Sequence, residues 1–354
     1  MKTVLCAALA GCLFVSTLPA ADGPGEPQIA VYRWANGTSN VDAFAAWLGR
    51  DLVWGEDFIG GETWSNVGWP VWWLENWSRW VKAKPGRKFL LGLPMLAGPT
   101  DLSGPTQGDE AGQPVSLAKG ATGAYNHHFR ALAENLVKFG VAETVILRPG
   151  WEFNGGWYAW RAKEQEREFA EYWRQIVQTM HSVPGAEKVQ FCWNPTLGYQ
   201  QFPAEQAWPG DAAVDFVGVD VYDESWQADT YPWPAGTSGE QIEARRRKVW
   251  EKEILGGDHG LVFWADFARK HGKPLSISEW GVNDRPEKRG GLDNAYFIEE
   301  MHRFIANPAN GVAFHCYFDV EAPDGKHQLS PGEKGTHVTI FPEAAKKFRQ
   351  LFGK

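Results

Sequence analysis

Eight short runs of apolar, strand-type residues recur along this 354-residue chain, with helical patterns between them. Their hydrophobicity is nearly continuous rather than alternating, which is typical of parallel strands that helices cover on the outside. The runs are residues 28–34, 52–58, 88–95, 144–149, 188–194, 215–222, 274–279 and 312–318. Strand–helix alternation repeated eight times predicts an α/β fold, a single (β/α)₈ TIM barrel with its cleft at the C-terminal ends of the strands.

Five segments between these runs have apolar residues at helical spacing. The clearest stripe extends from Phe169 to Met180, and another extends from Phe129 to Val137 and stops at Gly140. The other three lie around residues 261–268, 301–305 and 344–348. The three longest connections each follow a strand, so we expect them to shape the cleft; they are residues 98–120, 223–239 and 319–337.

Charge and composition narrow the classes of partner. The net charge of −8 argues against a nucleic-acid partner, and no polybasic run suggests a membrane surface. Tryptophan is abundant, with 20 in the chain, and indole faces stack on sugar rings. On helical faces, however, Trp47 and Trp173 are expected to fill the core. We predict a monomer.

The N-terminus has the pattern of a secretory signal peptide. Lys2 precedes an apolar stretch that ends near Leu18, and small residues follow it. We predict cleavage near Ala20, with residues 1–20 as the signal and residues 21–354 as a secreted or periplasmic domain. The stretch is too short for a membrane span. A sequence like a bacterial lipoprotein box ends at Cys12, but apolar residues follow it instead of a polar tether.

The cysteines predict neither a disulfide framework nor a metal site. Cys6 and Cys12 lie in the predicted signal, whereas Cys192 and Cys316 each lie inside an apolar run. We predict two buried thiols, and one disulfide between neighbouring strands is the alternative in an oxidising compartment.

Two glutamates stand at the exits of apolar runs, each beside tryptophan. Glu152 follows the fourth run, and Glu279 ends the seventh. The ends of barrel strands meet at one mouth, so both carboxyl groups are expected on the same face. Cleavage of a glycosidic bond needs one carboxyl to protonate the leaving oxygen and another to attack the anomeric carbon or activate water. We therefore predict a glycoside hydrolase with a polysaccharide or oligosaccharide substrate.

Polar and aromatic neighbours form the candidate substrate-binding set. Arg148 is placed to hold a nearby carboxylate ionised, and Asn154 offers an amide to substrate hydroxyls. Tyr222, at the end of the sixth run, is placed to donate a hydrogen bond to Glu279. The other members are Trp151, Trp157, Trp160, Trp193, Trp280 and His315.

Some of these assignments have a structural alternative. Trp193 is either a wall of the cleft or a core residue. His315 is either a substrate donor in the cleft, which we favour, or a buried barrel histidine. Trp226 and Trp233, in the loop 223–239, are either sugar platforms or a small satellite core.

Residues 148–160, Arg-Pro-Gly-Trp-Glu-Phe-Asn-Gly-Gly-Trp-Tyr-Ala-Trp, resemble the acid/base signature of glycoside hydrolase family 26. Residues 276–281 resemble that family's nucleophile strand, and residues 215–223 resemble its sixth strand. The resemblance implies a retaining, mannanase-like β-glycanase of clan A that needs neither metal nor organic cofactor. It also implies that Glu279 forms the glycosyl-enzyme while Glu152 acts first as acid and then as base.

One position departs from the family pattern. The residue before the acid/base glutamate is usually His, whereas this chain has Trp151. Trp offers one N–H donor and cannot accept a hydrogen bond. β-1,4-Mannan is the usual substrate of the family, and β-1,3-xylan, β-glucans and bacterial exopolysaccharides stay open here. Alternatives to hydrolysis are transglycosylation and a non-catalytic glycan-binding barrel.

Overall fold

A computed structural model describes residues 26–98, 108–332 and 338–353. Eight parallel strands close into a barrel in chain order, and β1 pairs with both β2 and β8. The strands are β1 Gln28–Tyr32, β2 Trp54–Phe58, β3 Lys88–Leu93, β4 Val145–Pro149, β5 Gln190–Trp193, β6 Phe216–Tyr222, β7 Leu275–Gly281 and β8 Val312–Phe318. The predicted (β/α)₈ barrel is confirmed, and each observed strand coincides with one of the eight apolar runs.

Helices surround this barrel. They are α1 Thr38–Leu48, α2 Trp64–Gly68, α3 Val71–Ala83, α4 Leu117–Ala121, α5 Asn126–Phe139, α6 Glu166–His181, α7 Gly239–Val249, α8 Leu261–Lys270, α9 Ala295–Ala306 and α10 Pro342–Phe352. The five predicted stripes correspond to α5, α6, α8, α9 and α10. Gly140 ends α5 as predicted, in the left-handed conformation with φ of 67°.

The inward-facing side chains of the strands form an apolar layer inside the barrel. Its buried members are Ala30, Trp54, Leu90, Ile146, Cys192, Phe216, Phe314 and Cys316. Both cysteines of this layer are free thiols and fully buried, which agrees with the prediction of two buried thiols rather than a disulfide. Successive strand residues point to opposite faces, so residues two positions further along each strand also point inward, nearer the mouth.

Loops after the strands build up the mouth of the barrel. The connection after β8 contains a two-stranded hairpin, β9 Glu321–Ala322 with β10 Gly325–Lys326. A buried ion pair between Arg33 and Asp319, 3.0 Å long, joins the loop after β1 to the end of β8. The connection after β6 ends at α7, where the Ser238 hydroxyl accepts a hydrogen bond from the Gln241 amide.

The predicted signal, with its lipoprotein-like Cys12, lies outside the described residues, as do parts of the loops after β3 and β8. Among the helices that the structure does describe, none combines the length and hydrophobicity that a membrane-spanning segment requires. In the same ranges, no group of three or more His, Cys, Asp or Glu side chains is arranged to hold a metal ion.

We expect Trp173→Ala to lower the free energy of unfolding by about 3–5 kcal/mol, because the change leaves a large cavity. The Trp173 indole is fully buried, and its Nε1 donates to the Ala213 carbonyl at 2.8 Å. Chemical denaturation measures the change. Trp72→Ala is the matched control, since Trp72 is 65% exposed and its loss should cost less than about 0.5 kcal/mol. Equal losses in the two variants would contradict the expectation.

Candidate active site

A buried guanidinium occupies the centre of the barrel mouth. Arg148 points inward from β4 and has no exposed surface. Its Nη1 donates to Glu56 of β2, and its Nη2 donates to Asp220 Oδ2 of β6 at 2.9 Å and to Glu279 Oε1 of β7 at 2.7 Å. Arg148 therefore holds three carboxylates from three strands. Both terminal nitrogens donate to carboxylates and the side chain has no exposed surface, so Arg148 orients Glu279 and does not reach a substrate as first predicted.

An irregularity in β7 aims Glu279 at the mouth. The register of β7 against β6 shifts, so that Ile277 pairs with Val219 and Glu279 pairs with Asp220. Ser278 is the extra residue of this bulge, and bulges re-aim side chains beside functional sites. The Glu279 Oε2 atom accepts a hydrogen bond from the Tyr222 hydroxyl at 2.8 Å, the contact that the sequence analysis predicted. Both oxygens of Glu279 thus accept hydrogen bonds.

Glu152 lies just beyond β4 in a contrasting environment. Its backbone has φ of 52°, in the left-handed region that non-glycine residues seldom adopt, and its N–H donates to the Asn194 carbonyl at 2.7 Å. This turn places the carboxyl at the mouth, where Trp157 Nε1 donates to Oε2 at 2.7 Å. Burial, with the negative charge of Glu279 as the next cause, raises the pKa of Glu152. The protonated form is thereby favoured.

The neighbours of Glu152 mostly support one another. Trp151 is 6% exposed, and its Nε1 donates to the Tyr158 hydroxyl at 3.1 Å. Trp160 is fully buried and donates to the Trp151 carbonyl at 2.8 Å. Asn154 is fully buried too. Its amide nitrogen donates to the Thr196 carbonyl and its oxygen accepts from the Thr196 N–H, both at 2.9 Å.

These contacts revise two of the predicted roles and leave a third as predicted. Asn154 clamps the loop after β5 with both ends of its amide, so it does not offer that amide to substrate hydroxyls. Trp160 packs under the loop and has no surface to stack on a sugar. Trp157 keeps the predicted place in the cleft, with 43% of its surface exposed beside the Glu152 carboxyl.

Three other predicted substrate contacts point away from the mouth. Trp193 follows the inward Cys192 and packs outside the barrel against Trp264 and Phe267. Trp280 follows the inward Glu279 and donates to His315 Nδ1 at 3.0 Å. Trp193, Trp280 and His315 are all buried. Their predicted place in the cleft is therefore wrong, because the alternation along each strand turns them towards the helices.

A cavity of about 350 Å³ opens beside the site, between the loops after β5 and β6. Asp220 and Tyr222 lie at its inner end, and Tyr199 and Trp226 are exposed on its walls. Of the two tryptophans left open above, Trp226 is a surface residue, 56% exposed. Trp233 instead packs edge to face against the buried Tyr231.

Two residues of the site escaped the sequence analysis. Glu56 and Asp220 are buried acids in strands β2 and β6, and both bind Arg148. Their positions along the strands could have predicted that both point into the barrel. Each lies an even number of residues from an inward apolar residue, since Glu56 follows Trp54 by two and Asp220 follows Phe216 by four. Ionisable side chains at such positions must meet one another inside the barrel.

Comparison with known proteins supports the resemblance seen in the sequence. The family model for glycosyl hydrolase family 26 matches residues 116–233, which include Glu152 and Tyr222. A mannan endo-1,4-beta-mannosidase of Bifidobacterium adolescentis is 25% identical over 203 residues, which amount to 54% of this chain and 18% of that protein. The chain thus matches less than a fifth of that relative's length.

Solved structures share the fold at low sequence identity. A family 26 protein of Muricauda has a TM-score of 0.59 at 15% identity and covers 93% of this chain and 86% of its own. The catalytic domain of a family 26 endo-beta-1,4-mannanase of Bacillus has a TM-score of 0.57 at 16% identity, covering 92% and 85%. An endo-beta-1,4-mannanase double mutant of Cellulomonas fimi has a TM-score of 0.58 at 17% identity, covering 93% and 71%.

We expect Arg148→Met to destabilise the fold by about 3–5 kcal/mol near neutral pH, because it leaves buried carboxylates without their counter-charge. Burial raises the pKa of both Glu56 and Asp220. A carboxyl with a raised pKa contributes stability below its unfolded pKa and loses it as pH rises through the folded pKa. Removing the cation raises these values further, so the loss in the variant should be greater at pH 8 than at pH 5.

Thermal unfolding of both proteins at the two pH values measures this difference. Arg130→Met is the matched control, since Arg130 is exposed on α5 and donates to the Ser182 hydroxyl rather than to a carboxylate. A loss in Arg148→Met that is small, or that does not change with pH, would show that the cluster does not depend on the arginine.

Proposed function

We propose, since the chain belongs to glycosyl hydrolase family 26, that it is an exported, retaining endo-β-glycanase. Its substrate would be β-1,4-mannan or a related β-linked polysaccharide. The observation that supports this best is the pair of glutamates at the ends of β4 and β7, held in opposite environments. Glu279 accepts hydrogen bonds from a cation and a phenol, whereas burial and the charge of Glu279 favour the protonated form of Glu152. Such a pair separates nucleophile from acid.

The proposed reaction has two displacements. A Glu279 oxygen attacks the anomeric carbon while the bond from that carbon to the glycosidic oxygen breaks, and Glu152 gives its proton to the leaving oxygen. Glu152, now a carboxylate, then takes a proton from water as the water oxygen attacks the same carbon. The bond to Glu279 breaks, which restores both residues and retains the configuration.

Trp157 and Tyr222 are the proposed positioning residues for these steps. The Trp157 N–H holds one oxygen of Glu152, and the Tyr222 hydroxyl holds one oxygen of Glu279. Arg148 fixes the other oxygen of Glu279 from below. Nucleophile and acid must both be oriented before the substrate arrives, because misplacement by about 1 Å can cost a hundredfold in rate.

The substrate stays the open part of the proposal. Three of the four proteins named above are described as endo-1,4-β-mannanases or mannosidases, which supports β-1,4-mannan. Trp151 in place of the family's usual His supports the alternatives, which are β-1,3-xylan, a β-glucan or a bacterial exopolysaccharide. The signal pattern of residues 1–20 supports export, and we propose that residues 21–354 form one catalytic domain that works as a monomer.

We expect Glu152→Ala to lower kcat by about 10²–10⁴-fold, the usual contribution of acid–base catalysis, and Glu279→Ala, which removes the nucleophile, to lower it at least as much. An activated aryl glycoside with added azide separates their roles. Azide should attack the free anomeric carbon in Glu279→Ala and give an inverted glycosyl azide. It should attack the glycosyl-enzyme in Glu152→Ala and give the retained product. Nuclear magnetic resonance of the products reads the configuration.

Thermal unfolding of both variants controls for loss of structure, and Glu164→Ala, in the same loop but with an exposed side chain, is the matched change. Full activity in either glutamate variant at unchanged stability would contradict the assignment. The same azide configuration from both variants would refute the proposed division of roles.

Product release from a polysaccharide panel tests the function itself. We expect the mature chain to release a ladder of oligosaccharides from one of β-1,4-mannan, β-1,3-xylan, mixed-linkage glucan, β-1,3-glucan or β-1,4-xylan, because an endo-acting enzyme cuts at internal bonds of the polysaccharide. Chromatography measures product size. Binding without release from any of them, by folded protein, would favour the non-catalytic alternative.

A further inference from the structure

Aromatic side chains line more than half of the barrel mouth in an unbroken series of ring contacts. The ring centroids of Tyr222 and Phe318 are 5.9 Å apart, and those of Phe318 and Tyr32 are 4.9 Å apart. The series continues from Tyr32 to Phe58 at 4.9 Å and from Phe58 to Trp151 at 5.1 Å. We call these five residues the aromatic rim. It begins at the partner of Glu279 and ends at the residue before Glu152.

The rim faces the mouth because of strand parity. Tyr32, Phe58, Phe318 and Tyr222 end strands β1, β2, β8 and β6, each an even number of residues from an inward-facing residue of the barrel interior. All four are half-buried, so part of each ring is open at the mouth. A sugar held between Glu152 and Glu279 must therefore lie against the rim on this side.

Phe58 is the central member of the rim, and the backbone makes room for it. A Cβ atom on Gly92 of β3 would lie 2.2 Å from the Phe58 ring. Glycine at that position lets the ring lie across the neighbouring strand. The Arg148 guanidinium carbon is 5.6 Å from the ring centroid, and Trp151 packs against the ring edge. The ring is thus fixed from three sides.

Three of the polar groups beside Phe58 and Phe318 already have protein partners. The Trp151 N–H is donated to Tyr158, the Trp157 N–H to Glu152, and the Tyr222 hydroxyl to Glu279. A sugar hydroxyl pressed against Phe58 or Phe318 would lose its hydrogen bonds to water without replacement, which is costly. C–H surface suits the same place, since its burial is favourable.

The charges at the barrel mouth also restrict which sugars can bind. Four acids, Glu56, Glu152, Asp220 and Glu279, lie around the guanidinium of Arg148, and three of them bind its two terminal nitrogens. In the part of the chain that the structure describes, these acids pair with no cation besides Arg148, so a uronate carboxylate here would meet excess acid and the site disfavours charged sugars.

We propose, on the basis of the function proposed above, that the aromatic rim is the specificity wall of the cleavage site. It selects a neutral sugar unit that turns C–H surface rather than a hydroxyl or carboxylate towards Phe58 and Phe318. Phe58 is the specificity-determining residue, and Trp151 acts through it as a positioning residue.

Three variants of the full chain test this inference on the best polysaccharide of the panel. Phe58→Leu keeps apolar volume but removes the aromatic face, and it should lower kcat/KM about tenfold, mainly through KM, which corresponds to about 1.4 kcal/mol. Phe58→Tyr keeps the face and should stay within about threefold of the parent, equivalent to about 0.7 kcal/mol. Phe263→Leu, a remote α8 aromatic, is the matched control and should change nothing.

Gly92→Ala provides an independent variant, because it displaces the Phe58 ring without removing it. Thermal unfolding shows whether it folds, and if it does, its kcat/KM should fall as in Phe58→Leu. Equal kcat/KM in Phe58→Leu, Phe58→Tyr and the parent would overturn the inference, and so would an equal loss in Phe263→Leu.

Binding can be tested separately from hydrolysis by native electrophoresis in gels that contain a polysaccharide, because a protein that binds the polysaccharide migrates more slowly. If the parent chain cleaves nothing, the proposed function fails, but the rim is still expected to hold a neutral glycan, and Phe58→Leu should weaken that retardation. Polymannuronate, the uronate counterpart of β-1,4-mannan, should be neither cleaved nor retarding. Cleavage of it, retardation by it, or no retardation by any neutral glycan of the panel would overturn the inference.

Discussion

The ion cluster around Arg148 is the interaction on which the rest of the site depends. A guanidinium without exposed surface is tolerable only where carboxylates replace its water, and Glu56, Asp220 and Glu279 do so here. The cluster joins β4 to β2 on one side and to β6 and β7 on the other. It therefore connects strands that are not neighbours in the barrel. The orientation of Glu279 consequently depends on the positions of all four strands.

This cluster also separates the chemistry of the two glutamates. Glu279 shares the cation and receives the Tyr222 hydroxyl, whereas Glu152 receives one neutral N–H and lies in the field of Glu279. The same negative charge that Arg148 holds in place raises the pKa of Glu152. The proposed roles of nucleophile and acid thus fall to identical side chains that differ in their surroundings, because one faces the cation and the other faces its partner's charge.

The fold and the principal pair could be predicted from the sequence, because both depend on patterns within short segments. Apolar runs and helical stripes give the barrel, and the barrel brings the exits of its fourth and seventh strands to one mouth. Tyr222 followed from the same reasoning. The failures came from side-chain direction. Trp193, Trp280 and His315 each lie one residue from an inward position, and a shift of one residue reverses the face.

Other features needed tertiary information. The bulge at Ser278 breaks the alternation along β7, so that parity alone would turn Glu279 away from the mouth. The left-handed turn at Glu152 depends on its hydrogen bond to Asn194, 42 residues further along the chain. The sequence did not show that the Asn154 amide already has partners, so Asn154 was predicted to bind substrate. In the fold, both ends of the amide hydrogen-bond to the loop after β5.

The inward side chains form layers with different tasks. Apolar residues and thiols fill the lower barrel, the Arg148 cluster occupies the middle, and the aromatic rim surrounds the mouth. In the middle layer, Arg148 and Glu56 have no exposed side-chain surface and hold Glu279 from below, so these two residues can change little without loss of the fold. Four of the five rim residues are half-buried, and the rim contributes contacts rather than charge. Substitutions at Phe58 or Phe318, which hold neither glutamate, can therefore alter which sugar is accepted while the chemistry below them stays the same.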